Sequence, residues 1–273
     1  MGLRINTNVN SLVVQNNLVK STSRVQNSLA KLSSGLRINS PGDDAPGLAL
    51  ATSLSSDVRS YGQLQRNVED GLSLVQTAAG AVQEMLTSLE RMNELALQAV
   101  SGTLTAADRA PLDAEFQELY SQIEELQGLE FNGQSILTGS TFAIQVGEGV
   151  GDTLTIVTPD TTHGNVTLID ILGVNLNSVS GANDAIVRVG NATNWLTQRL
   201  GLLGGTENRL QSVQSSLGTA RTNAEAALSR VRDVDYAQEL ANLTLAQVQQ
   251  EAGVAVLAQA NTNPQTAIQL LFN

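Results

Sequence analysis

Apolar residues at Ala51, Leu54, Val58, Tyr61, Val68, Leu72, Val75, Ala79, Val82, Leu86, Leu89, Ala96 and Val100 alternate three- and four-residue steps. That seven-residue period predicts one long helix with a coiled-coil seam, interrupted at Gln65 and Asn93 by amides that can fix register. A second, shorter helix is expected through Leu112, Phe116, Leu119, Ile123 and Leu126, between a charged opening at Asp108 and Gly128 near its end. The short connection at Ser101-Gly102 favours antiparallel packing of the two. The same spacing returns at Leu210, Val213, Leu217, Ala220, Ala224, Ala227, Val231 and Val234, and continues through Ala241, Leu245, Val248, Ala252 and Ala255. A break is expected near Asp233 to Asp235, and helices this long imply a rod-like molecule. The N- and C-terminal halves must meet to cover one seam. The fold class is therefore mainly α: an elongated coiled-coil-like helical bundle formed by both halves, with a small β-hairpin region in the middle.

That middle lies between Asn132 and Gly190, where Thr, Val, Ile and Gly displace Ala, Leu and Gln. Phe142 to Val146 and Thr153 to Thr158 read as strands, with Gly147, Gly149, Gly151 and Asp152 as the hairpin turn and Pro159 to Asn165 as a polar loop. Between residues 35 and 47, three glycines, two prolines and the pair Asp43-Asp44 interrupt the helical pattern. This is a linker or spoke, in which Asp44 caps the next helix and Pro46 suits its first turn.

Both ends of the chain are unusual. Ile5, Val9, Leu12, Val13, Leu18 and Val19 accumulate with only Arg4 charged before Lys20, and no charged residue follows Glu251. Val254, Ala255, Val256, Leu257, Ala258 and Ala260 would surround every face of a helix, and a helix apolar all round must be buried. Two terminal helices pairing with each other bury one face apiece. Ordering them costs about 1 to 2 kcal/mol per residue, and each buried Val or Leu returns about 1.5 to 3. Lateral contact with further copies is the expected source of order. On this reading the self-assembly residues are Ile5, Val9, Leu12, Leu18, Val25, Leu29, Leu240, Leu245, Val248, Val254, Leu257, Ile268, Leu271 and Phe272. Leu257→Asp is expected to abolish assembly and leave the bundle folded.

Composition narrows the classes further. With 41% hydrophobic residues but only 3% aromatic, the core is filled by aliphatic side chains and alanine, which lets helices approach closely. The net charge of -11, without a basic cluster, speaks against nucleic acid. The absence of cysteine excludes disulfides and thiolate chemistry. No apolar run approaches a bilayer span, so membrane insertion is not expected. Met1 to Asn10 lacks the basic start and apolar segment of a secretory signal, so export needs another route. Met1-Gly2 does not extend to a myristoylation motif, because Asn6 stands at its Ser/Thr position.

No catalytic, metal or cofactor site emerges. His163, the single histidine, sits among Thr161, Thr162 and Gly164 and reads as a solvated loop residue. Gly147, Gly149 and Gly151 lack the spacing of a nucleotide loop. Asp43-Asp44 and Glu124-Glu125 are explained by capping and by a solvated helix face.

Several blocks together resemble bacterial flagellin. These are Ile5-Asn6-Thr7-Asn8, Leu32 through Ser40, Gly42-Asp43-Asp44-Ala45 and Phe131-Asn132-Gly133, then Asp233-Val234-Asp235-Tyr236-Ala237 and Val256 through Asn261. The resemblance covers residues 1–139 and 183–273. It implies an inner layer of terminal helices (1–40 plus 236–273) and a helical bundle with β-hairpins (41–235). A spoke at 35–47 that includes Gly42, Asp43, Asp44 and Pro46 joins the layers, and no large outer domain is present. It implies a secreted, extracellular structural subunit that polymerises with itself into the flagellar filament. The implied partners are the flagellar type III export apparatus, an export chaperone, the filament cap and hook-junction proteins. Recognition by an animal innate immune receptor is implied at Arg91, Leu95, Gln98 and Glu115. Asn93 departs from the arginine of strongly detected flagellins, and Pro46 stands where alanine is usual.

Two competing readings are a hook-filament junction protein, separable by its low abundance, and a secreted non-polymerising binding or effector protein exported by the same route. The latter would use residues 140–190 for recognition and stay monomeric. An enzyme is the reading with least support from the residues.

Overall fold

A computed structural model describes residues 8–161, 171 and 173–271, with the backbone alone from 263 onward. Ile5, Phe272 and His163 fall outside the described residues. So do the side chains of Ile268 and Leu271. Among the described residues the order is α1 (Val9–Ser34), α2 (Ala45–Ala99), α3 (Ala106–Gln127), β1 (Glu130–Phe131), β2 (Gln134–Ser135), β3 (Thr141–Gln145), β4 (Thr153–Val157), α4 (Val179–Arg232) and α5 (Tyr236–Leu271). The fold is mainly α with a small antiparallel β region in the middle, as the periodicity predicts. The chain forms two compact units, one from residues through Val58 and from Thr222 onward, the other Arg59–Arg221.

In the second unit, α2 and α4 run antiparallel. Gln76 donates to Glu207 Oε1, Gln214 to Glu69 Oε1 and Arg221 to Gln65 Oε1, so partners descend on one helix as they ascend on the other. The predicted seam residues Val68, Val75, Val82, Leu89 and Ala96 are fully buried, facing Ala185, Val189, Ala192, Leu196, Leu203 and Leu210 of α4 within one apolar core. Three of the eight buried α4 positions are alanine, and the rest are valine or leucine. Trp195 packs half-buried on that core, with the Arg199 guanidinium 5.0 Å from its ring centroid.

The antiparallel α3 is set by its two ends. Thr105 and Asp108 form a reciprocal capping box at its start. One residue on, the buried Arg109 reaches back and donates to the carbonyls of Ala99 (2.7 Å) and Ser101 (3.0 Å). The Ala99 carbonyl that ends α2 without a helical partner, and the Ser101 carbonyl just beyond the helix, thereby gain a charged donor.

The β region differs from expectation in extent. Strands β3 and β4 pair in register from Thr141 opposite Val157 to Gln145 opposite Thr153, as the alternation predicts. Their inward Leu154 and Ile156 are buried, and Ile144 leans on Gly71 of α2, where a β-carbon would meet it at 3.1 Å. β-like composition was expected to persist to Gly190, but α4 begins at Val179 and already buries Ala182, Ala185 and Val189. Burial against α2 outweighs the weak local preference of Val, Gly and Asn there. A further hairpin, β1 with β2, turns through Asn132 (φ 52°) and Gly133 (φ 74°), the left-handed pair a two-residue turn requires.

Replacing Arg109 by Leu removes the buried charged donor from the Ala99 carbonyl, while the Ser101 carbonyl still accepts from Leu104 N–H. The expected loss is about 1 to 3 kcal/mol, read as a lower urea midpoint with an unchanged slope.

Candidate functional site

The first unit is built on the pairing of α1 with α5. The helices are antiparallel: Asn8 donates to the Ala260 carbonyl (2.9 Å), Ser11 to Asn261 Oδ1 (3.0 Å) and Ser21 to the Ala246 carbonyl (2.9 Å). Gln250 donates to Thr22 Oγ1 at 3.2 Å between them. The seam on α1 is a strict four-three repeat of Ser11, Val14, Leu18, Ser21, Val25, Ser28 and Leu32; on α5 it is Leu243, Ala246, Gln250, Gly253, Leu257 and Ala260. All three serines are buried, as are Leu243, Ala246 and Ala260. A serine hydroxyl that reaches the opposite backbone demands close approach. Gly253 sits against Leu18 in that approach, where a β-carbon would make an ordinary contact with Leu18 Cδ1 at 3.4 Å.

The larger apolar side chains point elsewhere. Val9, Leu12 and Val19 on α1 are 54%, 56% and 69% exposed, and Leu245 and Val248 on α5 are 58% and 56% exposed. Val13, Leu29, Leu240, Val254 and Val256 are exposed as well. Of the residues expected to drive assembly, Leu18, Val25 and Leu257 lie half-buried along the seam within one chain, and the others described are on the outward faces. The serine ladder itself was not foreseen, although the repeat from Ser11 to Leu32 was its signal.

The glycine-rich stretch between α1 and α2 is tied down. Gly35 closes α1 in the left-handed conformation (φ 73°), and its carbonyl accepts from Val234 N–H. Arg37 N–H donates to the Arg232 carbonyl, and its guanidinium reaches the Val231 carbonyl (2.6 Å) and Asp44 (3.8 Å). Ile38 is buried. Asp44 Oδ1 accepts from Gly47 N–H at 2.9 Å, capping the turn that holds Pro46. Asp43 accepts from the N–H groups of Ser40 and Asn39, which hold its carboxyl below the usual aspartate range, and from the Ser40 hydroxyl. Gly42 is exposed beside them. Across the gap from α4, Asp235 Oδ1 accepts from Ala237 and Gln238 N–H and so restarts the chain as α5.

On the second unit, Arg91 spans two helices, donating to Glu94 Oε2 (2.9 Å) and Glu115 Oε1 (2.8 Å). The bond to Glu94 and then that to Glu115 raise its pKa. Gln98 is exposed two turns along α2 on the same face, and Asn93 is half-buried. Leu95 is 1% exposed and belongs to the core. Among the described residues no cluster of His, Asp and Glu is arranged to hold a metal ion, and no helix is long and apolar enough to cross a membrane.

A helical unit whose two chain ends pair through small residues and turn large aliphatic ones to solvent is a structural, associating subunit. A model of the bacterial flagellin N-terminal helical region matches residues 5–141, and one of the bacterial flagellin C-terminal helical region matches 186–271. The chain is 36% identical to a flagellin of Halalkalibacterium halodurans over 272 residues, covering 98% of this chain and 99% of that one. It is 33% identical to a flagellin of Bacillus subtilis over 305 residues, covering 98% and 100%. A solved flagellar hook-associated protein from Vibrio parahaemolyticus superposes with a TM-score of 0.59 over 70% of this chain and 100% of that one. At 15% identity, that likeness concerns the fold alone. The chain belongs to the bacterial flagellin family, and it is a secreted, extracellular structural subunit of the flagellar filament.

Two outcomes test this geometry. Ser21→Leu forces a large side chain where two backbones nearly touch, and is expected to cost about 1 to 3 kcal/mol and to lower helix content as the pair opens. For Asp43, a depressed pKa means that the loop's stabilisation is complete above the ordinary aspartate range and is lost as pH falls through the lowered folded value. The amide signals of Asn39 and Ser40 should therefore titrate at a midpoint below that of an unperturbed aspartate, and not at all in Asp43→Asn.

Proposed function

We propose that α1 and α5 are the polymerising elements of this subunit, with two sets of residues that divide the work. Leu18, Val25 and Leu257 hold the two helices together within a chain. Val9, Leu12, Leu29, Leu240, Leu245, Val248 and Val254 make the contacts between copies, joined by Ile5, Ile268, Leu271 and Phe272. The observation that carries this reading is the outward row of aliphatic side chains, each half or more exposed on paired helices. Leaving such a side chain wet forgoes about 1.5 to 3 kcal/mol, which a neighbouring copy restores.

In this reading residues 1–40 and 236–273 form the inner layer of the filament and 41–235 the layer around it. Residues 35–47, with Gly42, Asp43, Asp44 and Pro46, are the spoke, and no large outer domain follows. The subunit has no enzymatic role. Its further partners are the flagellar export apparatus, an export chaperone, the filament cap and hook-junction proteins. Arg91, Gln98 and Glu115 form an exposed patch suited to an innate immune receptor, with Leu95 supporting the helix from beneath.

Val248→Asp separates assembly from folding better than Leu257→Asp, because Leu257 also serves the seam. The variant should unfold within about 0.5 kcal/mol of the parent and yield no fibres by negative-stain microscopy. Normal fibres from Val248→Asp would remove α5's outward face from the proposal.

A further inference from the structure

The two terminal helices carry charge of opposite sign. All three charged residues of α1 are basic, Lys20, Arg24 and Lys31; both of α5 are acidic, Glu239 and Glu251. At about 100° per residue the three cations fall within an arc of about 40°, beside the seam. They line two adjoining clefts of about 370 Å³ each that share Arg24 and Gln249, and Glu239 stands in the cleft that holds Lys31. Among the described residues no carboxylate lies within ion-pair distance of Lys20, Arg24 or Lys31, and Arg24 donates only to Gln249 Oε1 at 3.3 Å. Glu251 is exposed on the opposite side of α5, away from these cations.

We infer that this cleft seats the outward face of α5 from a second copy of the chain, with the incoming Glu251 set against Lys20 and Arg24. The inference rests on the reading that the terminal helices polymerise, and it names which surfaces meet. The incoming face is a stripe spaced by three and four residues, Leu240, Thr244, Val248, Glu251, Ala255 and Ala258, with one charge and small side chains around it. The cleft offers matching chemistry: it is lined by Leu18, Ala252, Gly253 and Val256 together with the cations Lys20 and Arg24. An α1 helix from a second copy would instead bring Lys20, Arg24 and Lys31 against charges of the same sign, which like-charge repulsion disfavours. Because the cleft and the outward face lie on opposite sides of α5, the contact is heterologous and leaves a free copy of each surface for a further subunit.

Charge exchange tests it on the full chain, followed by sedimentation of polymer. Glu251→Lys alone, and Lys20→Glu with Arg24→Glu, should each lower the polymerised fraction roughly tenfold, and the combined triple variant should return to within about threefold of the parent. A triple variant that keeps parental helix content and does not recover, or single-site reversals that polymerise normally, would overturn the pairing. The chain has no cysteine, so a second measurement is independent of folding effects. Equal amounts of Arg24→Cys and Glu251→Cys chains, polymerised and then oxidised, should give mainly the mixed disulfide dimer. A preference for either like-with-like dimer would defeat the inference. If the parent chain itself stays monomeric in these conditions, the polymerisation reading fails and this one with it.

Discussion

A hydroxyl of α1 meets a main-chain carbonyl of α5 at Ser21, and the close approach this requires governs the rest of the first unit. Two backbones held that near have room between them for Ser, Ala and Gly but not for rows of Leu. The seam accordingly sets the small Ser11, Ser21, Ser28, Ala246, Gly253 and Ala260 between Val14, Leu18, Val25, Leu32, Leu243, Gln250 and Leu257, so that small side chains interrupt the large ones, which never form a continuous row. The larger aliphatic side chains are left on the remaining faces, where the isolated chain offers no cover. The polar seam is thus the reason the surface is apolar. A seam made of leucine would have spaced the helices apart and hidden in one chain the material that copies can share.

The second unit solves the same problem in the opposite sense. Most of its heptad positions on α2, and Leu210 and Leu217 on α4, are buried or packed against one core, together with Phe116 and Ile123 from α3 and the inner side chains of β4. Polar work there is confined to the edges: a capping box at Thr105, the Arg109 guanidinium on the end of α2, and Asp113 accepting from Leu176 N–H. The unit closes its own core among the described residues and presents Arg91 with its two carboxylate partners on the surface. One sequence thereby contains a unit that buries its aliphatic side chains and a unit that leaves a row of them exposed. Structural subunits of filaments need both, since a chain apolar throughout would collapse and one satisfied throughout would stay single.

Much of this was legible in the order of residues. The four-three spacing located α2, α3 and the C-terminal part of α4 from Leu210 onward, because a buried helical stripe leaves a period that survives without coordinates. Gly147 to Asp152 marked the β3–β4 turn, and Asp235 marked the break before α5, because turns and caps depend on a few neighbouring atoms. The start of α4 at Val179 was not legible, since Ala182, Ala185 and Val189 gain their preference for helix only against α2. The Asn132-Gly133 hairpin stood in plain view as a dipeptide, but its strands are two residues each, too short to leave an alternation.

At the ends of the chain the sequence determined how much apolar surface must find cover, and that charge is scarce: three cations on α1 and two anions on α5. Which side chains face the partner helix and which face solvent was decided only in three dimensions. Ser21 and Leu12 are both plausible seam residues in one dimension, and the serine takes the seam, where its hydroxyl is small enough to be buried and bonds the Ala246 carbonyl. The separation of Glu251 from Lys20 and Arg24 was decided the same way, since a helix distributes neighbours in sequence around its axis and only the choice of seam tells which of them meet.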